Sequence, residues 1–240
     1  MTPVRNRSRS LPAPANKRVA ESGAESIVVI TGASRGIGAA LAKKLGAAGA
    51  QTVLLARSIA GLEATDDAIR AAGGPPALLV PLDFAKADQE FDQLGQRLYE
   101  RFGRVDGFYA CAATLGPLGP VGHCSPKDWQ QVMQVNLNAN HRLIRSLDPL
   151  LRQSKAARAV FLTCRQGHTA EAYWAAYGAS KAGLERLAQS YALETQKTAI
   201  KVTLFEPPPC ATQLRAKAFP GEDQAGLATA DKVAEEICLS

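Results

Sequence analysis

The feature that most constrains this 240-residue chain is Thr31-Gly-Ala-Ser-Arg-Gly-Ile-Gly38, set between an aliphatic run, Ile27–Thr31, and a helical pattern that starts near Ile37. Each glycine has a separate use in such a strand–turn–helix. Gly32 lets the chain turn sharply, Gly36 lets the backbone come close to a ligand, and Gly38 lets the helix pack tightly on the strand. The first N–H groups of the helix stay unpaired and carry partial positive charge, which suits a pyrophosphate. Gly32, Ser34, Arg35, Gly36, Ile37 and Gly38 are therefore candidate contacts for a dinucleotide. A glycine turn without a ligand is the competing explanation, and only the strand before it and the helix after it argue against that.

Downstream, short β-branched or aliphatic runs alternate with longer helical patterns, the signature of repeated βαβ units. Strands are expected at Ile27–Thr31, Thr52–Ala56, Leu78–Leu82, Val105–Ala110, Ala159–Thr163 and Lys201–Phe205. Helices are expected near Ile37–Ala48, Ala60–Ala72, Asp88–Phe102, Pro126–Gln153 and Tyr177–Thr195, with another beginning near Ala230. Ser125-Pro-Lys-Asp128 reads as a helix start, with Ser as cap, Pro in the first turn and an acid near the positive end. The expected fold is α/β: a single Rossmann-type doubly wound parallel sheet of about six strands with helices on both faces.

The end of the second strand bears on which dinucleotide is bound. Sheets of this type that hold NAD usually place Asp or Glu there, on the ribose 2′-hydroxyl. Here the residues are Leu55-Ala56-Arg57-Ser58, with no acid. Arg57, with Arg35 from the glycine turn, offers charge-assisted bonds to a 2′-phosphate instead. NADP is thus expected over NAD, unless both arginines are ordinary surface residues.

Tyr177-Gly-Ala-Ser-Lys181 puts a phenol and an ammonium one helical turn apart on one face. Free tyrosine titrates near 10, too high for easy proton exchange at neutral pH, and a neighbouring cation favours the phenolate. The spacing alone is common on solvated helices; its place after the fifth strand gives it weight.

Taken together, these residues resemble the short-chain dehydrogenase/reductase family from Ser26 to the C-terminus. The glycine turn, Tyr177 and Lys181 carry the match, with Asp83 in Pro81-Leu-Asp-Phe84 and Asn136 in Gln134-Val-Asn-Leu-Asn138. The segments Trp129–Asn136 and Arg215–Asp223 are similar to a bacterial subgroup whose substrates are poorly defined. The resemblance implies hydride transfer between NADP(H) and a carbonyl or alcohol. In it, Tyr177 exchanges a proton with the substrate oxygen, Lys181 holds the ribose and tunes Tyr177, and Asn136 supports a water relay. It further implies cofactor contacts at Asp83, Phe84, Pro207 and Thr212, a substrate lid over Pro208–Leu227, and a homodimer formed through helices around 128–152 and 178–195. Trp174, close before Tyr177, packs or lines a substrate pocket.

The sequence also departs from that pattern. The family's carbonyl-polarising Ser falls at Cys164, thirteen residues before Tyr177, and a thiol donates only weakly. Thr163 is adjacent but is expected on the other side of the strand. Ala110-Cys-Ala-Ala113 stands for the family's Asn-Asn-Ala-Gly, and Glu206-Pro-Pro-Pro209 for its Asn-Pro-Gly, so that Pro208 has a fixed φ and no N–H. The family's seventh strand has no counterpart before Ser240, which leaves strand six as an expected open edge. The alternative to an active enzyme is therefore a weak or inactive relative that binds NADP as a sensor or partner subunit, or a chain that has lost its function.

Composition removes other classes. With 46% apolar and 21% charged residues the chain supports one α/β core. Five of its six net positive charges fall in residues 1–20 (Arg5, Arg7, Arg9, Lys17 and Arg18), so the remainder is nearly neutral and gives no electrostatic reason for nucleic-acid binding. Residues 1–25 read as a disordered basic tail ahead of a domain at 26–240. They have no apolar segment of the secretory kind, and their Arg/Ser content has some likeness to an organellar transit peptide without its amphipathic helix. The five cysteines form no CxxC pair and suggest reduced thiols and a cytoplasmic protein. His123, His141 and His168 are scattered, so no metal site is expected.

Overall fold

The computed structural model describes residues 26–87 and 89–240. The expected basic tail lies outside them, as does the expected helix start at Asp88. Six parallel strands, β1 (Ile27–Thr31), β2 (Gln51–Ala56), β3 (Leu78–Pro81), β4 (Gly107–Ala110), β5 (Arg158–Leu162) and β6 (Lys201–Phe205), lie in the order β3-β2-β1-β4-β5-β6. This is the doubly wound order, in which the winding reverses between β1 and β4 and opens a crevice beyond the strand ends there.

The strands read as continuous apolar runs because both faces of the sheet are covered. Val29, Val53, Leu55, Phe108, Ala159 and Phe161 face one helical layer, built from α3 (Gln89–Phe102), α5 (Ala139–Leu151) and α6 (Ala175–Glu194). Their neighbours Val28, Ile30, Leu54, Tyr109, Val160 and Leu162 face the other, built from α1 (Gly36–Ala47), α2 (Ile59–Ala71) and α8 (Ala230–Leu239). Phe108 and Phe161 meet edge to face at 5.6 Å across β4 and β5. Among the described residues β6 is a sheet edge, and its side chains are half-buried or exposed.

The helix expected over Pro126–Gln153 is not uniform. α4 (Pro126–Met133) starts as expected, with the Ser125 hydroxyl accepting from Asp128 N at 3.1 Å and Pro126 at the first position. A π-helical turn, Gln134–Asn138, separates it from α5. The single-helix expectation is thus corrected: the extra residue in that turn rotates Asn136 inward, where it is fully buried. The lid segment contains a short helix, α7 (Gln213–Ala218), capped by the Thr212 hydroxyl accepting from Arg215 N at 3.2 Å. No helix among the described residues is long and apolar enough to cross a membrane.

Candidate active site

A cleft of about 940 Å³ lies beyond the strand ends, at the crevice where the winding reverses. Its floor is the glycine turn. Gly32 has φ +67°, and a Cβ there would lie 2.9 Å from Ala112 in the loop after β4. At Gly38 a Cβ would lie 2.5 Å from the Gly32 carbonyl oxygen, so the first turn of α1 is pressed against its own approach. Thr65 ties α2 to the same turn, donating to Ala33 O at 2.9 Å. The turn is therefore held from three sides before any ligand is considered. Gly38→Ala is expected to cost about 1–3 kcal/mol through forced backbone displacement. Thermal unfolding would show the loss, and no added dinucleotide would restore it.

Arg57 projects into the cleft exposed, with no partner among the described residues. Arg35 lines the same end and donates to Gln213 Oε1 of α7 at 2.8 Å. Ser34, Gly36 and Ile37 line the floor; Asp83 and Phe84 line the side beyond β3, with the Phe84 ring packed edge to face on Phe91 at 5.4 Å. Asp83 Oδ1 accepts from Ala85 N at 3.1 Å, which fixes the carboxylate in its own loop. Pro207 and Thr212 close the far wall, and the Thr212 methyl lies 3.6 Å from where a Gly36 Cβ would be.

Tyr177, Lys181 and Cys164 line the other half of the cleft. Lys181 is 3% exposed and donates to Leu162 O at 2.8 Å, with Nζ 5.8 Å from the centroid of the Tyr177 ring. Burial lowers its affinity for a proton. The expectation that Lys181 depresses the Tyr177 pKa is not met in the protein alone. Burial pushes the phenol well above its ordinary value, Cys164 adds to the rise, and the ammonium is spent on the Leu162 carbonyl. Burial likewise raises the Cys164 thiol, against Lys181, so it stays a protonated weak donor rather than a thiolate. Thr163 also lines the cleft, and its hydroxyl is engaged in donating to the Glu185 carboxylate of α6.

Asn136 is not brought into the cleft wall. Its Oδ1 accepts from Thr114 N at 2.8 Å, and its Nδ2 donates to Thr114 O and Ser180 Oγ, both at 2.9 Å. It fastens the loop after β4 to the residue preceding Lys181. Removing this amide leaves buried groups unpaired, so Asn136→Ala is expected to destabilise the fold by about 2 kcal/mol. Denaturant unfolding of the variant would measure it.

Several site residues went unnoticed in the sequence. Ser180 and Thr114 hold Asn136; Leu115, Leu214, Ala218 and Phe219 join Trp174 and Tyr177 in one apolar wall. The Thr212 cap is a local hint of α7, but without a helical period after it the cap does not mark a helix. His168 lies between two carboxylates, 3.4 Å from Glu185 and 3.7 Å from Glu206, a contact its sequence position did not announce.

A glycine-turn crevice facing a buried Tyr–Lys pair defines a class, and the comparisons agree with it. Residues 26–223 match the family model for short chain dehydrogenases. The chain is 37% identical over 204 residues to the uncharacterized oxidoreductase YciK of Escherichia coli K12, covering 85% of this chain and 81% of that one. A short chain dehydrogenase of Escherichia coli CFT073, solved in complex with NADPH, superposes with a TM-score of 0.86 at 34% identity, covering 89% of each chain. One from Shigella flexneri 2a str. 301, solved with NADP, gives 0.83 at 36%, covering 86% of each. This chain belongs to the short-chain dehydrogenase family and is an oxidoreductase by kind.

Proposed function

We propose that this chain is an NADP-dependent oxidoreductase that interconverts a carbonyl compound and its alcohol, with Tyr177 exchanging the proton at the substrate oxygen. The observation that carries this reading is that Tyr177 and Lys181 line the same cleft as the glycine turn. The residues fit a dinucleotide: the floor is pressed too tightly for any side chain at Gly38, and Arg57 lines the cleft with no partner among the described residues, a cation available to a 2′-phosphate. When bound, the cofactor would supply the hydride and, in oxidised form, a positive charge that favours the phenolate.

The chain's own groups do the rest. Gly32, Ser34, Arg35, Gly36, Ile37 and Gly38 take the pyrophosphate side, Asp83 and Phe84 the adenine side, and Pro207 and Thr212 the nicotinamide side. Lys181 would hold the ribose hydroxyls and, released from the Leu162 carbonyl, would lend its charge to Tyr177. Tyr177 gives its proton to the developing alkoxide, and Cys164 offers that oxygen a weak second hydrogen bond. Asn136 acts here as a positioning residue for Lys181 rather than as a group that touches substrate.

Arg57→Glu is expected to weaken NADPH binding about 10- to 100-fold, since it trades a charge-assisted bond for a repulsion. NADH binding should change little. Titration of both cofactors against wild type and variant checks this, and equal losses for the two would remove Arg57 from the 2′-phosphate site.

A second reading, an NADP-binding relative with little turnover, is favoured by Cys164, a weak donor beside Tyr177 in the cleft. It predicts tight NADPH binding with no carbonyl reduced at a measurable rate. For assembly we propose a cytoplasmic homodimer of the 26–240 domain through α4, α5 and α6, where Trp129 and Leu193 are exposed. Light scattering is expected to report twice the 25.4 kDa chain mass.

A further inference from the structure

Beyond the cofactor's half of the cleft, the wall around the phenol carries its own information about the substrate. Leu115, Trp174, Leu214, Ala218 and Phe219 form one cluster with Tyr177 and Cys164. Trp174 meets the Tyr177 ring edge to face at 5.9 Å and the Phe219 ring at 5.6 Å, tilted by 37°. Phe219 is carried at the end of α7, so the lid itself brings an aromatic face to the site. Two of the polar side chains that line the cleft here are committed to carboxylates. Arg215, whose guanidinium lies 4.5 Å from the Phe219 centroid, makes two 2.6 Å bonds to Glu222, and Gln166 donates to Glu171 at 2.8 Å. Arg165 and Lys217 reach the mouth only as exposed, solvated charges.

Replacement of the family's Ser by Cys164 extends the same trend to the atom nearest the reaction. The hydrogen-bonding groups this cluster offers are the Tyr177 phenol, the Cys164 thiol and the Trp174 indole N–H. The phenol is engaged by the reacting oxygen, and the thiol is weak. A substrate bearing several further hydroxyls would leave most of them unmatched, each costing about tenfold or more in affinity. An apolar ring would instead meet aromatic faces on Trp174 and Phe219.

We propose that the substrate half of this cleft selects carbonyl compounds that carry an apolar ring, aromatic or alicyclic, next to the reacting carbonyl, and discriminates against polyhydroxylated ones. This rests on the reading of Tyr177 as the proton donor, since that places the carbonyl against this wall. Lid residue Phe219 and Trp174 are the specificity-determining pair.

The test compares 1-phenyl-1,2-propanedione, 2,3-butanedione and erythrulose, the first two differing only by phenyl for methyl. Each is titrated calorimetrically into the wild-type protein saturated with NADP⁺, which cannot reduce a ketone, and again without cofactor. Their reduction by NADPH is then followed separately. The expected order of affinity is phenyl dione, butanedione, erythrulose, with at least tenfold between the first two and a gain confined to the NADP⁺ complex or enhanced by it. Phe219→Ala, at a half-buried lid position, should remove most of the phenyl preference by weakening the phenyl dione far more than butanedione; Trp174→Leu, which keeps the site apolar but not aromatic, should reduce it as well. Comparable affinities for the three compounds, or a phenyl preference untouched by both substitutions, would overturn the proposal. Tight phenyl-dione binding without reduction would uphold the pocket while refuting the proposed chemistry, which keeps the two failures apart.

Discussion

Tyr177→Phe is expected to bind NADPH as the wild type does and to lose about 10²- to 10⁴-fold in turnover, the usual contribution of a placed general acid or base. The substitution removes one oxygen and little else. A phenylalanine ring keeps the edge-to-face contact with Trp174 and the packing against Leu115, so the fold and the apolar wall should survive. Thermal unfolding of the variant should stay close to wild type, which makes a loss of rate attributable to the proton. The result also addresses the raised phenol. Burial and the adjoining thiol hold the proton on Tyr177 in the protein alone, so the group enters the reductive direction already in its donating form. In the oxidative direction the proton must first be lost, and that requires the positive surroundings that Lys181 and an oxidised nicotinamide would provide. Activity as an alcohol dehydrogenase should consequently keep rising into the alkaline range, while carbonyl reduction should not.

Cys164→Ser is expected to act in the opposite sense, raising turnover by about 100-fold, the low end of what an oxyanion donor contributes. The Cys164 thiol is half-buried and protonated; burial raises it, while its hydrogen bond with Tyr177 lowers it and raises the phenol. A serine hydroxyl in the same place donates a stronger hydrogen bond to the substrate oxygen in the transition state. Thr163 cannot take that role while it is bonded to Glu185. The gain should appear in kcat, since the extra bond strengthens as negative charge develops. An enzyme made slower by serine would show that the thiol is there for the reaction and that the family pattern misleads at this position. A variant with no measurable turnover, yet normal NADPH binding, would favour the binding-protein reading.

Much of the frame was legible because the sheet is covered on both faces. Runs such as Ile27–Thr31 and Gln51–Ala56 are apolar almost without interruption, and the turn residues between them mark their ends. Strand edges moved by a residue or two; β4 begins at Gly107 rather than Val105, because only from there does the chain pair with β1. The π turn at Gln134–Asn138 was not legible. It contains neither Gly nor Pro, and it exists because a buried amide at Asn136 finds Thr114 and Ser180, residues remote in sequence. α7 was hidden for a different reason. Pro208 and Pro209 announce a loop, and the six helical residues after the Thr212 cap are too few to show a period.

The site divides in the same way. Spacing placed Tyr177 and Lys181 on one helical face, and the missing acid after β2 pointed to the arginines. Electrostatics could not be read that far, because the direction of the Tyr177 shift depends on burial to 6% exposure and on the carbonyl that occupies Lys181. Nor did the sequence show that Arg35 is already bonded to Gln213, which links the cofactor end of the cleft to the lid.

Thermal unfolding of the purified protein with NADPH, with NADH and without cofactor tests the central claim most directly. A ligand bound only to the native state adds RT ln(1 + [L]/Kd), about 2.7 kcal/mol at a hundredfold excess over Kd. The predicted result is a clear upward shift with NADPH and a smaller one with NADH. A cooperatively folded protein that shifts with neither would contradict the account, because the cleft would then hold no dinucleotide for Tyr177 to serve.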